Sequence, residues 1–244
     1  MIDVRRGLAA CVLALVVLLG ALRPGPEGWV AGLGCALVLA VAAGRRAGAD
    51  GVDRLGPADL VTLARATLAC AVAALVAGSF TGDDEVATLV ALAAVALALD
   101  FVDGRVARRT GTASSFGGRI DGEADAFLIL VLSVHVARTE GAWVLALGLV
   151  RYVYAVASWV VPWMQRRLPP RYWRKVVAAY VGVALVVAAS GVLPAAASYV
   201  VLGVALVLLA ESFGWDVVWL WRRRGVNRAD AGDVRKGKSL QQNR

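Results

Sequence analysis

Apolar runs close to twenty residues long recur along this chain, separated by short polar or basic segments. They predict helices over about residues 7–22, 28–44, 58–79, 85–109, 117–138, 141–165, 172–190 and 194–221. Helices of this length match the hydrocarbon thickness of a bilayer, about 30 Å. The fourth and fifth are unusual, because the end of one and the start of the next are polar. The first run is short and follows Arg5 and Arg6, the look of a cleaved signal segment, but no small-x-small cleavage site follows it, which favours an uncleaved helix.

Composition agrees with the pattern. The chain of 244 residues is 59% hydrophobic and 18% charged, with a mean hydropathy of +0.69, and that apolar surplus must face lipid. The expected fold class is an all-α polytopic integral membrane protein, and a soluble fold is excluded. The formal charge of +8 would suggest nucleic acid in a soluble chain; here the positive-inside bias accounts for it and no nucleic acid is expected. With the N-terminus inside, 22 basic residues fall on the cytoplasmic side, Arg23 and Arg138 outside, and Arg65 and Arg151 within spans. The opposite loop carries Asp83, Asp84 and Glu85. Trp29 and Trp143 fall near the outer interface, and Trp163, Trp173, Trp219 and Trp221 near the inner one. Cys11, Cys35 and Cys70 lie in apolar runs, where a thiol behaves as a small hydrophobe, so neither a disulfide nor a thiolate metal site is indicated.

The organisation expected is two N-terminal transmembrane helices over 1–44, a linker or surface helix over 45–57, a six-helix core over 58–221, and a basic, disordered cytoplasmic tail over 222–244. No internal repeat is visible.

Between residues 100 and 125 the chain reads DFVDGRVARRTGTASSFGGRIDGEAD. Residues three or four apart share a helix face, so Asp100 and Asp103 project together from one helix and Asp121 and Asp125 from the next. Four carboxylates at that spacing repel one another near hydrocarbon, so they must be protonated or must hold cations. An oxygen-only donor set points to Mg²⁺ or Mn²⁺ rather than zinc. Gly104 and Ala107 continue the Asp100/Asp103 stripe and leave a bare floor, Arg108 can clamp a phosphate, and Gly117 keeps the facing helix bare. Together these residues describe a diphosphate site.

The same residues resemble the signature of the CDP-alcohol phosphotransferases (CDP-alcohol phosphatidyltransferases), D-x-x-D-G-x-x-A-R followed after a spacer by G-x-x-x-D-x-x-x-D. Asp100, Asp103, Gly104, Ala107, Arg108, Gly117, Asp121 and Asp125 meet every fixed position with a spacer of eight. Chance agreement at a given start is on the order of 10⁻⁹ to 10⁻¹⁰. The resemblance extends over about residues 57–221, with residues 1–44 as an addition. It implies transfer of a phosphatidyl or substituted phosphoryl group from a CDP-alcohol, CDP-diacylglycerol in the first instance, to a small alcohol acceptor, with release of CMP in phospholipid biosynthesis. It implies two divalent ions held by Asp100, Asp103, Asp121 and Asp125, with Asp125 also the general base. Asp59, Leu60, Val61 and Thr62 match positions that contact the CDP moiety in relatives, and Gly104, Ala107, Arg108, Ser114 and Gly117 belong to the same nucleotide-binding surface.

Arg151, Arg119 and Lys175 are candidate contacts for the acceptor. An intramembrane arginine such as Arg151 or Arg65 is costly and faces a cavity, a partner or the interface. The site is expected at the cytoplasmic face of the cell membrane, with membrane lipids as partners and a homodimer allowed by the Gly/Ala-rich spans. Two rival readings make different demands. A membrane prenyltransferase requires D-D-x-x-D-like clusters on separated helices, and a transporter or scaffold requires half-helices or symmetry between halves; the sequence has neither.

Overall fold

The computed structural model describes residues 2–82, 85–110, 115–166, 168–169 and 171–224, leaving aside the side chains of residues 101, 103–110 and 115. Asp83, Asp84, Ser114 and the tail beyond residue 224 therefore lie outside the described residues. Eight α-helices occupy the described chain: α1 (Val4–Leu22), α2 (Gly25–Asp50), α3 (Pro57–Gly78), α4 (Val86–Thr110), α5 (Ser115–Glu140), α6 (Leu145–Val160), α7 (Tyr172–Ala189) and α8 (Ala195–Arg222). Short 3₁₀ turns, Ala142–Val144 and Pro162–Gln165, flank α6. The all-α polytopic expectation holds. Six segments are long and apolar enough to cross a membrane: α1, α2, α3, Ala142–Val160, α7 and α8. In α4 only Val86–Asp100 is uniformly apolar, because its last turns carry the polar signature.

Helix limits follow local chemistry. Asp3 caps α1, its carboxylate accepting from the amides of Arg5 at 2.9 Å and Arg6 at 3.4 Å. Helix α2 runs on to Asp50 and stops at Gly51, whose φ of +65° is the left-handed cap glycine tolerates. The first half of the 45–57 segment, expected as a linker or surface helix, is therefore helix continuous with α2. The other half holds a short strand, β2 (Arg54–Leu55), paired antiparallel with β1 (Ile2–Asp3) in the register Ile2 to Leu55 and Asp3 to Arg54. The N-terminus is thus fastened to the segment that leads into α3.

Helix α3 is the axis of the molecule. It packs against α1, α2, α4 and α5, and 67% of its apolar window is buried against 17–39% for the other five spans. Its sequence from Ala66 to Gly78 is rich in alanine, so neighbouring backbones approach closely. On α2 the Gly28-x-x-x-Gly32 pair faces it: a Cβ at Gly28 would stand 2.7 Å from the carbonyl oxygen of Ala74, and one at Gly32 would stand 3.0 Å from the Ala74 methyl. Gly28→Val is expected to lever α2 off α3 and cost about 1–3 kcal/mol, read as a lowered unfolding temperature in detergent. Gly20→Ala, where a Cβ meets nothing within 4 Å, is expected to leave the transition unchanged or raise it.

Candidate active site

Three helices bring the chemistry together. Asp100 lies toward the C-terminal end of α4, Asp121 and Asp125 lie one turn apart on α5, and Arg65 lies two turns into α3. The spacing argument placed the aspartates on facing stripes, and one oxygen from each of Asp100, Asp121 and Asp125 falls within a group 4.8 Å across. Each carboxylate is about one-third exposed. Asp103, Gly104, Ala107 and Arg108 belong to α4, but their side chains are outside the description, so the fourth aspartate and the bare floor remain expectations.

Arg65, which the sequence marked as a charge near the start of its span in need of a cavity, a partner or the interface, is the centre of this group. Its side chain is 2% exposed, and Nη1 stands 3.0 Å from Oδ1 of Asp100. The same nitrogen pairs with Asp121, and Nη2 pairs with Asp125. Nε donates to the carbonyl oxygen of Ala96 at 3.2 Å, which anchors the guanidinium to the wall of α4. The signal available in sequence was its cost: a buried arginine needs anions, and the anions nearest in the topology are the aspartates.

With all three carboxylates ionised, Arg65 offsets one negative charge and leaves two. One divalent cation carries the complementary charge, and the donors are all carboxylate oxygens, so the residues fit a hard divalent ion. Such a cation and the guanidinium would be like-charged neighbours sharing ligands.

The start of α3 carries the other expected contacts. Asp59 is buried and accepts the Gly56 amide at 2.8 Å, closing the helix N-terminus. The Thr62 hydroxyl, also buried, donates to the carbonyl oxygen of Ala58 at 3.2 Å, and Leu60 and Val61 are partly buried. Thr62 lies one turn before Arg65 on nearly the same face. Gly117 lies one turn before Asp121 and is partly exposed.

The acceptor candidates are placed differently. Arg119 pairs with Asp50 at the end of α2 at 2.7 Å. Arg151 pairs with Glu123 at 3.3 Å, on the side of α5 turned away from Asp121 and Asp125. Lys175 is exposed in the first turn of α7. Each arginine thus has a carboxylate other than the three around Arg65. At the same membrane end, α7 and α8 are joined by Arg171 with Glu211 at 3.2 Å, Trp173 donating to Glu211 at 2.7 Å, and Arg174 with the buried Asp216 at 3.6 Å. Sequence reasoning gave Glu211 no role and did not find Asp216.

A family model described as CDP-alcohol phosphatidyltransferase matches residues 55–214, from the entry to α3 through most of α8. No curated protein and no solved structure matches the chain. Helices α1 and α2 lie outside the matched span.

Proposed function

Because the chain belongs to the CDP-alcohol phosphatidyltransferase family, whose members transfer a phosphatidyl group from a CDP-alcohol, we propose that this enzyme uses CDP-diacylglycerol as donor and a small alcohol as acceptor. The observation that carries the reading is the cluster of Asp100, Asp121 and Asp125 around a buried arginine inside a membrane protein. Such an arrangement is expensive unless it serves charge.

In the proposed reaction the acceptor oxygen bonds to the β-phosphorus of the donor. The bond from that phosphorus to the bridging oxygen breaks, and CMP leaves with the bridging oxygen. The hydroxyl proton passes to Asp125, placed as general base. Asp100, Asp121 and Asp125, with Asp103 from the signature, would hold Mg²⁺ or Mn²⁺, two ions in the expected arrangement. Bound there, the ions supply Lewis-acid neutralisation of the diphosphate. Arg65 orders the three carboxylates and partly offsets their charge. Asp59 to Thr62, Gly104, Ala107, Arg108, Ser114 and Gly117 form the nucleotide surface, and Thr62 is favoured among them by its place beside Arg65. Lys175 is the acceptor candidate whose charge no described carboxylate engages; Arg119 and Arg151 would first have to leave Asp50 and Glu123. The bias of basic residues supports a site open to the cytoplasmic leaflet of the cell membrane.

The test is CMP release from CDP-diacylglycerol by purified enzyme with Mn²⁺ or Mg²⁺, screened across polyol, amino-alcohol and phosphorylated acceptors. Metal-dependent release with one acceptor is expected. Silence across the panel from folded protein that still binds CDP would reject the donor, and absence of CDP binding would reject the reading itself.

A further inference from the structure

A large cavity lies on the other side of the helices that carry the aspartates. It encloses about 740 Å³ and is walled by α1, α2, α3, α5 and α6. On α5 it meets Ile120, Glu123, Phe127 and Leu130, a stripe roughly opposite the one shared by Asp121 and Asp125 at 100° per residue. On α3 it meets Leu63, Ala66, Thr67 and Cys70, again turned away from Arg65. The cavity is therefore separate from the active site, and much of its wall comes from the two helices outside the family span.

Its shape and charge specify an occupant. Along α2 the lining runs from Gly34 to Arg46, about 18 Å at 1.5 Å per residue. One leaflet of hydrocarbon is about 15 Å deep. The deep end is apolar, with Leu15, Cys35 and Leu130 in the wall. Arg46 stands exposed at the other end and has no ion-pair or hydrogen-bond partner among the described residues. The other charged residue in the lining, Glu123, is paired with Arg151. One unpaired cation above a leaflet-deep apolar slot complements a lipid with an anionic head and an acyl tail.

We propose that this groove binds one anionic glycerophospholipid of the inner leaflet, an acyl chain lying along α2 and the phosphate at Arg46. The two N-terminal helices thereby build a lipid site beside the catalytic core, distinct from the donor site.

The test uses full-length protein in detergent and native mass spectrometry with phosphatidylglycerol and phosphatidylcholine as probes. One phosphatidylglycerol is expected to remain bound in preference to phosphatidylcholine. Arg46→Gln should reduce that preference about fivefold, the size of one basic residue's contribution at an anionic surface. Gly34→Phe should abolish retention of both lipids; a Cβ at Gly34 meets nothing within 4 Å, so the ring enters open space, and an unchanged unfolding transition would verify folding. Ala40→Phe, also in the lining, serves if Gly34→Phe does not fold. Equal retention of both lipids, or retention unaffected by a folded filling variant, overturns the proposal. Simultaneous binding of phosphatidylglycerol and CDP-diacylglycerol supports a separate site, whereas mutual displacement assigns the groove to the donor and overturns it.

Discussion

Replacing Asp125 with asparagine is expected to suppress CMP release by about 10²- to 10⁴-fold, the contribution of a positioned general base, while CDP binding persists. Asparagine keeps the size of the side chain and an oxygen facing Arg65, so the packing of α5 against α3 should survive. The substitution also removes a charge from the group that would hold the cations. A metal titration separates the two effects. If saturating Mn²⁺ restores turnover, Asp125 serves as a ligand and the proton goes elsewhere; if turnover stays lost at saturating metal with nucleotide bound, the base role stands. Full activity in the variant would remove Asp125 from both roles.

The second large effect concerns Arg65. Arg65→Met fills similar space but leaves Asp100, Asp121 and Asp125 facing one another without their guanidinium. Removing one partner of a fully buried ion pair costs about 3–5 kcal/mol, and partial exposure of these carboxylates brings the expected loss to about 2–3 kcal/mol. That loss should appear as a lower unfolding temperature in chelator. Divalent metal should stabilise the variant more than the parent enzyme, because the cation then replaces the missing positive charge instead of sharing ligands with it. A variant as unstable with metal as without would show that Arg65 acts through packing, not through charge.

Much of this architecture was legible because membrane spans obey a length rule and their ends carry visible marks. Gly51 and the Gly56–Pro57 pair stop one helix and start another, and the predicted spans differ from α1 to α8 by a few residues at most ends. The main exception is the end of α2, where the polar stretch Arg45–Asp50, read as the start of a linker or surface helix, continues α2 through Gly48 to the left-handed cap at Gly51. The aspartate stripes were legible because i, i+4 periodicity turns sequence spacing directly into direction. The place of Arg65 was not, because its partners Asp121 and Asp125 follow 56 and 60 residues later and no local period connects them. The same limit applies to Arg119 and Arg151. Their cost in a membrane was visible, but the carboxylates they meet, Asp50 and Glu123, are fixed by which helices become neighbours. The groove beside α2 was hidden too, since a cavity is defined by what adjoining helices fail to fill.

The distance along the chain between Arg65 and its carboxylates also sets an order of events during synthesis. At about 5–20 residues per second, Asp121 and Asp125 leave the ribosome several seconds after Arg65 has been made. Throughout that interval α3 carries an arginine worth about 2.5–3.5 kcal/mol against insertion at mid-membrane. Helices α1 and α2 are already complete by then, and they are the ones whose leucines and glycines lie along α3. That packing covers the face of α3 turned away from Arg65, so the early three-helix assembly holds α3 in place while its charge waits for the carboxylates of α4 and α5.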